Sequence, residues 1–130
     1  MSTLAPPRLE IRGSGGILQG VRRTLEPGAT LVVGRSRSCH VSLRRTRGFL
    51  QAADPLAMLR SGPFRRVSRV HCEIAYLPDS RVEVRDLSRN GTLVDGRRVD
   101  RTFVLTPGDE PVHVVLADAA HGELVLSFRA

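Results

Sequence analysis

The sequence predicts an all-β domain, a sandwich or a barrel, on three observations. Apolar residues recur with a period of two, as in Arg8-Leu9-Glu10-Ile11-Arg12 and Arg81-Val82-Glu83-Val84-Arg85. Turn-forming clusters interrupt these runs at short intervals, the spacing of many short strands rather than of helices. The hydrophobic fraction of 41%, with no Trp, one Tyr and four Phe, calls for a single aliphatic core. A chain of 130 residues suffices for one domain and not for two ordinary ones.

Taken in order, Arg8–Arg12 alternates cleanly and is followed by the turn signal Gly13-Ser14-Gly15-Gly16. Glu26-Pro27-Gly28 introduces a strand over Thr30–Val33. His71–Tyr76 reads as the next strand, closed by Leu77-Pro78-Asp79-Ser80, and Arg81–Arg85 follows. Asn90-Gly91 and Asp95-Gly96 both favour the positive φ of tight turns. After Pro107-Gly108-Asp109, strands are predicted over Val112–Leu116 and Leu124–Phe128. Residues 44–66 break the rhythm. There Asp54-Pro55 reads as a helix cap with a first-turn proline, predicting a short helix over Pro55–Arg60 that Ser61-Gly62-Pro63 closes. Residues 1–6 are expected to be disordered.

Composition excludes several classes. The apolar content is too high for a disordered chain. No apolar run approaches the ~20 residues of a membrane-spanning helix. No basic, then apolar, N-terminal stretch marks a secretory signal. Cys39 and Cys72 are too few for a disulfide framework, and no Cys/His spacing suits zinc, so reduced thiols in a cytoplasmic protein, with neither metal nor cofactor, are expected. All twenty basic residues are Arg, giving a net charge of +7. An Arg-rich codon bias accounts for part of this. The charge also favours an anionic partner, and guanidinium forks suit phosphate.

Three polar clusters fall in predicted loops, where binding residues concentrate: Gly34-Arg35-Ser36, Ser68-Arg69-Val70-His71, and Ser88-Arg89-Asn90-Gly91-Thr92. Ser68, His71 and Asp86 or Asp95 could in principle form a nucleophile, base and orienter. No nucleophile elbow supports them, and a Ser three residues before a His at a strand entrance more often braces a loop. No phosphate-binding loop with a Lys exists either. Anion binding fits better. Arg35 offers a guanidinium, Ser68 a hydroxyl, residues 68–69 and 89–90 backbone N–H groups, and Asn90 an amide for a peptide main chain.

In this order, Gly34-Arg35, Ser68-x-x-His71, Asn90-Gly91-Thr92 and Asp95-Gly96 resemble the forkhead-associated (FHA) domain, as do Leu105 and Gly108-Asp109 after them. The resemblance spans residues 7–130 and implies a two-sheet β-sandwich of about eleven strands, here with a short helix in an inserted loop. It implies a non-enzymatic bacterial module that binds Thr-phosphorylated partners in Ser/Thr kinase signalling or assembly, monomeric as an isolated domain. By position, Arg35, Ser68, Arg69 and Arg89 would surround the phosphate. Asn90 would hold the ligand main chain, and Arg66 would help select a residue beyond the phosphothreonine. Gly34, His71, Gly91 and Thr92 would fix the loops.

The sequence departs from the family pattern at three places. Cys39 and His40 replace an Asn-Asp turn pair, which puts that turn's bracing in question. Asp95 replaces an Asn, with little effect expected because Asp-Gly makes the same turn. Residues 44–67 form an insertion beside the binding loops, with six arginines against one acid, Asp54. The insertion reads either as a loop without a role or as a lid whose arginines favour acidic residues flanking the phosphothreonine. Its apolar residues predict that the Pro55–Arg60 helix packs on the sandwich edge. Two other functions compete: a degenerate sandwich binding its partner without phosphate, and nucleic-acid binding, which lacks aromatic stacking platforms or a recognition motif. Neither a nucleic acid nor a membrane is an expected partner.

Overall fold

The computed structural model describes residues 6–129, so the expectation for residues 1–6 lies almost wholly outside the described residues. Pro7 is already held, its carbonyl accepting a 2.7 Å hydrogen bond from the Tyr76 hydroxyl. Among the described residues eleven strands form two sheets packed on one aliphatic core. The six-stranded sheet holds β1 (Arg8–Ser14), β2 (Arg22–Leu25), β7 (Thr92–Val94), β8 (Arg97–Arg98), β10 (Val112–Leu116) and β11 (Glu123–Arg129), in the order β2-β1-β11-β10-β7-β8. The five-stranded sheet holds β3 (Thr30–Gly34), β4 (Val41–Ser42), β5 (Cys72–Tyr76), β6 (Val82–Asp86) and β9 (Thr102–Leu105), in the order β4-β3-β5-β6-β9.

The period-two pattern does what it predicts. In β1, Leu9 and Ile11 are wholly buried while Arg8 and Arg12 face solvent. Ile74, Val84, Val114, Leu124 and Leu126 complete the inner faces of the two sheets. Truncating Ile74, Leu124 or Leu126 to Ala would cost about 2–5 kcal/mol, because neighbouring side chains cannot fully close the void.

Five strands had no clear signal in the sequence. β2 lies at a sheet edge with Arg22, Arg23 and Thr24 all exposed, so no alternation marks it. β4 and β8 have two residues each, too few to show a period. β7 and β9 are also short, at three and four residues. The two turn dipeptides also differ. Asp95 and Gly96 both have positive φ, 50° and 83°, and form the tight β7–β8 turn. At Asn90-Gly91 only Gly91 has positive φ, and the segment is a loop crossing from β6 in one sheet to β7 in the other.

Segment 44–67 contains three helices where the sequence predicts one: α1 (Arg47–Leu50), α2 (Pro55–Arg60) and α3 (Gly62–Arg66). α2 has its predicted bounds and cap, the Asp54 carboxylate accepting from the Ala57 N–H at 3.1 Å. Ser61-Gly62-Pro63 ends α2 but also starts α3. The Ser61 hydroxyl donates to the Met58 carbonyl and accepts from the Phe64 N–H, while Pro63 sits in the first turn, where no helical partner for its missing N–H exists. The main packing of this segment comes from Phe49 and Phe64, both buried with ring centroids 5.9 Å apart, and from Val67. α2, the predicted packing element, buries no residue completely, and only Met58 and Leu59 lean on the core.

Candidate functional site

Strand pairing brings the three polar clusters to one end of the sandwich. β3 and β5 run antiparallel with Val33 opposite Cys72, so the chain leaves β3 at Gly34 where it enters β5. The loop before β5 then pairs with the loop after β3: the N–H groups of Arg35 and Ser36 donate to the carbonyls of Ser68 and Arg69, each at 3.0 Å. This approach explains Gly34. A Cβ there would sit 2.2 Å from the Arg69 carbonyl oxygen, and only glycine avoids that clash.

His71 ties the second and third clusters together from the interior. It is wholly buried. Its Nδ1 accepts from the Ser68 N–H at 3.1 Å, which leaves Nε2 to donate to the Gly91 carbonyl at 2.8 Å. Burial pushes the ring below its ordinary pKa, against the opposing effects of the Gly91 bond and the Asp86 charge, so a neutral ring is what the fold holds. Both nitrogens are engaged with main chain. A base acting on the Ser68 hydroxyl is therefore not available, and the Ser-His-Asp reading fails on geometry.

Asp86 organises the third cluster. Its Oδ1 accepts from the Ser88 N–H at 3.0 Å, from the Ser88 hydroxyl, and from the Thr92 hydroxyl at 2.9 Å. Ser88 in turn accepts from the Gly91 N–H at 2.8 Å. Burial alone would raise the Asp86 carboxyl, but the hydrogen bonds from Ser88 and Thr92 outweigh it and hold the group below its usual range. The sequence singled out Thr92 and Gly91 but considered Asp86 only as a catalytic orienter. Its spacing of two and six residues from hydroxyl groups was the available signal.

The side chains suited to an anion or a peptide are held by the end of segment 44–67. α3 leaves its last carbonyls without helical partners. The Val67 carbonyl accepts from Arg35 Nε at 2.9 Å, and the Arg66 carbonyl accepts from Asn90 Nδ2 at 2.8 Å. Among the described residues Arg35 keeps the rest of its guanidinium uncommitted, and Asn90 keeps its carbonyl oxygen and one N–H. The Ser68 hydroxyl accepts from the Arg89 N–H at 3.0 Å and keeps its own proton to donate. Of the four backbone N–H groups the sequence pointed to, those of Ser68 and Arg89 are thus engaged internally. Those of Arg69 and Asn90 have no acceptor among the described residues.

The Arg66 side chain is committed elsewhere, bonded to Asp118 at 2.9 Å. Asp118, drawn down first by the Ala120 N–H and then by Arg66, is held below the usual carboxylate range. The Cys39-His40 departure is compensated by different atoms. The buried Cys39 thiol donates to the Arg69 carbonyl at 3.2 Å, and His40 Nδ1 accepts from the Val32 N–H at 2.8 Å. Beside Arg35 opens a cleft of about 570 Å³ lined by Arg35, Ser36, Arg37, Arg44, Leu59, Phe64 and Arg69. Four of its seven lining residues are cationic and none is acidic. Nothing in the residue order separates Arg44 from the other arginines of its segment.

The FHA-domain family model matches residues 31–114, about two thirds of the chain and every element that carries these loops. This chain is an FHA domain. A search of curated protein sequences finds no match. Among solved structures, the FHA domain of CT664 from Chlamydia trachomatis superimposes with a TM-score of 0.62 at 22% identity, covering 95% of this chain and 99% of that one. Rv1747 FHA-1 of Mycobacterium tuberculosis gives 0.62 at 24% identity, with 97% and 100% covered. The N-terminal FHA domain of S. cerevisiae Rad53p, solved in complex with a phosphothreonine peptide, gives 0.60 at 18% identity, with 94% and 93% covered. At these identities the likeness is one of fold. As an FHA domain the chain is a non-catalytic module, in keeping with a His71 whose ring is wholly occupied by main chain.

Proposed function

We propose that this FHA domain binds Thr-phosphorylated proteins through the loop end of the sandwich, as a recognition module in Ser/Thr kinase signalling or assembly. The observation that carries the proposal is the convergence of unused donors on one spot. Arg35, the Ser68 hydroxyl and the Arg69 N–H lie on two segments hydrogen-bonded to each other, and Arg89 and Asn90 close over them. A phosphate presents three acceptor oxygens and nearly two charges, which suits a guanidinium, a hydroxyl and N–H groups together. Asn90, with an acceptor and a donor left, suits the ligand main chain. On this reading residues 7–130 form one binding unit into which 44–67 is inserted, and the free, buried Cys39 and Cys72 suit a reducing cytoplasm.

Calorimetric titration with a phosphothreonine peptide library tests it, with unphosphorylated, Asp-substituted and duplex DNA controls. Wild-type protein should bind only phosphorylated peptides, and the Asp peptides should lose most of the affinity. Arg35→Ala and Ser68→Ala should each weaken binding by about 1.5–3 kcal/mol, the worth of a charge-assisted hydrogen bond. Their melting temperatures should fall only modestly, by about 2–5 °C, because each also gives up one internal hydrogen bond. Equal affinity for phosphorylated and unphosphorylated peptides would replace this reading with phosphate-independent recognition.

A further inference from the structure

Resting on that reading, we propose that Arg44 forms a second anion subsite, which takes an acidic group flanking the phosphothreonine. Arg44 opens segment 44–67 one residue beyond the end of β4, and it lines the same cleft as Arg35. Its Nε is fully buried and has no hydrogen-bond partner among the described residues. Native proteins leave few buried donors unpaired, because each carries its desolvation cost without return. The Nε itself lies beneath the cleft surface, and no hydrogen bond or ion pair among the described residues holds the guanidinium, so its remaining N–H groups are left for an acceptor that arrives in the cleft with the ligand.

Charge balance points the same way. The cleft is lined by four arginines and no acid, whereas one phosphothreonine brings about −1.5 to −2 charges. A second anionic group would complete the match. Leu59 of α2 and Phe64 of α3 form an apolar wall, which lowers the local dielectric and strengthens a pair made there. Other arginines of the segment are placed differently. Arg45 and Arg47 line a separate cleft with Arg23 and His40, and Arg66 is paired with Asp118. Only Arg44 of this segment combines a buried, unpartnered nitrogen with a place in the phosphate cleft.

The test uses alanine-based nonapeptides with a central phosphothreonine, in which one Asp, or in a second series one phosphoserine, is walked through the flanking positions. For wild-type protein, the affinity ratio of acidic to all-alanine peptide should rise to about 10 at one position or two adjacent ones. In Arg44→Gln that ratio should collapse to about one. In Arg60→Gln, which removes an exposed charge of the same segment, it should persist. Arg44→Met serves as the second variant, and thermal melts of both should match or exceed wild type, since each removes a buried unpaired donor. A larger gain from phosphoserine than from Asp identifies a second phosphate as the preferred group, and equal gains identify a carboxylate. The subsite is overturned if the ratio survives in Arg44→Gln, if Arg60→Gln lowers it equally, or if wild type shows no gain anywhere. In each of those cases binding of the all-alanine phosphopeptide leaves the general function standing. Failure of wild type to bind any phosphopeptide removes both.

Discussion

Replacing His71 by Ala should damage stability and recognition together. The ring is wholly buried and joins the Ser68 N–H to the Gly91 carbonyl, so its loss strands two main-chain groups on opposite loops. Each unsatisfied buried group costs about 1–3 kcal/mol, and water entering the vacated space would recover part of that. A total near 3 kcal/mol is expected, which for a domain of this size lowers the melting temperature by about 10 °C. Scanning calorimetry at pH 7 measures it, with peptide titration well below the new midpoint to read affinity. A pH series adds an independent check. Burial holds His71 below its ordinary value of 6.5, so as pH falls through that value the unfolded chain takes up the proton first. Wild-type stability should therefore be complete above about pH 6.5 and decline below it, and His71→Ala should flatten that part of the curve. A mutant that melts within about 2 °C of wild type yet fails to bind would refute the bracing role and make the ring a ligand contact.

Gly34→Ala should destabilise by about 1–3 kcal/mol and weaken phosphopeptide binding, because its Cβ drives against the Arg69 carbonyl; a denaturant melt and one titration decide it. Phe49→Ala should cost about 3–5 kcal/mol, whereas Leu56→Ala, at a residue 66% exposed, should stay within about 0.5 kcal/mol. Equal, small effects in urea unfolding would mean that segment 44–67 is not part of the core. The Cys72 thiol, pushed by burial up to about 12, should resist iodoacetamide at pH 8 in the folded protein and react on unfolding, as mass spectrometry would show.

The sequence made legible whatever is periodic or chemically local. β1 and β6 announce themselves through alternation, β3, β5, β10 and β11 as apolar-rich runs between turn signals, and α2 through the Asp54-Pro55 cap. β2 stays hidden because three of its four residues are polar and exposed, and the single buried Leu25 shows no period. The binding loops were readable as motifs, since Arg35, Ser68 and Asn90 stand at fixed places relative to turns and strand entrances. What holds them was not. The carbonyls of Arg66 and Val67 carry no side-chain signature, and nothing in a linear sequence says that two helix-end carbonyls will anchor Arg35 and Asn90. Arg66 shows the converse problem: a residue chosen by position has its side chain committed to Asp118, 52 residues away.

The direct pairing of β1 with β11 sets the Cα of Arg8 opposite that of Arg129, while Ser14 and Glu123 face each other at the far end of the ladder. Gly16–Leu18 and α1 lie against that far end, where the chain also turns back at Gly122. A tensile load applied between Arg8 and Arg129 acts across the ladder and opens its hydrogen bonds one after another, as a zip opens. A load between the loop end and either of these residues runs along the strands. It must then shear together the bonds of the loaded strand to both its neighbours, β1 to β2 and β11 or β11 to β1 and β10. The domain is thus mechanically anisotropic: weak when pulled apart by its own flanks, and resistant when something held in its loops is dragged away from them.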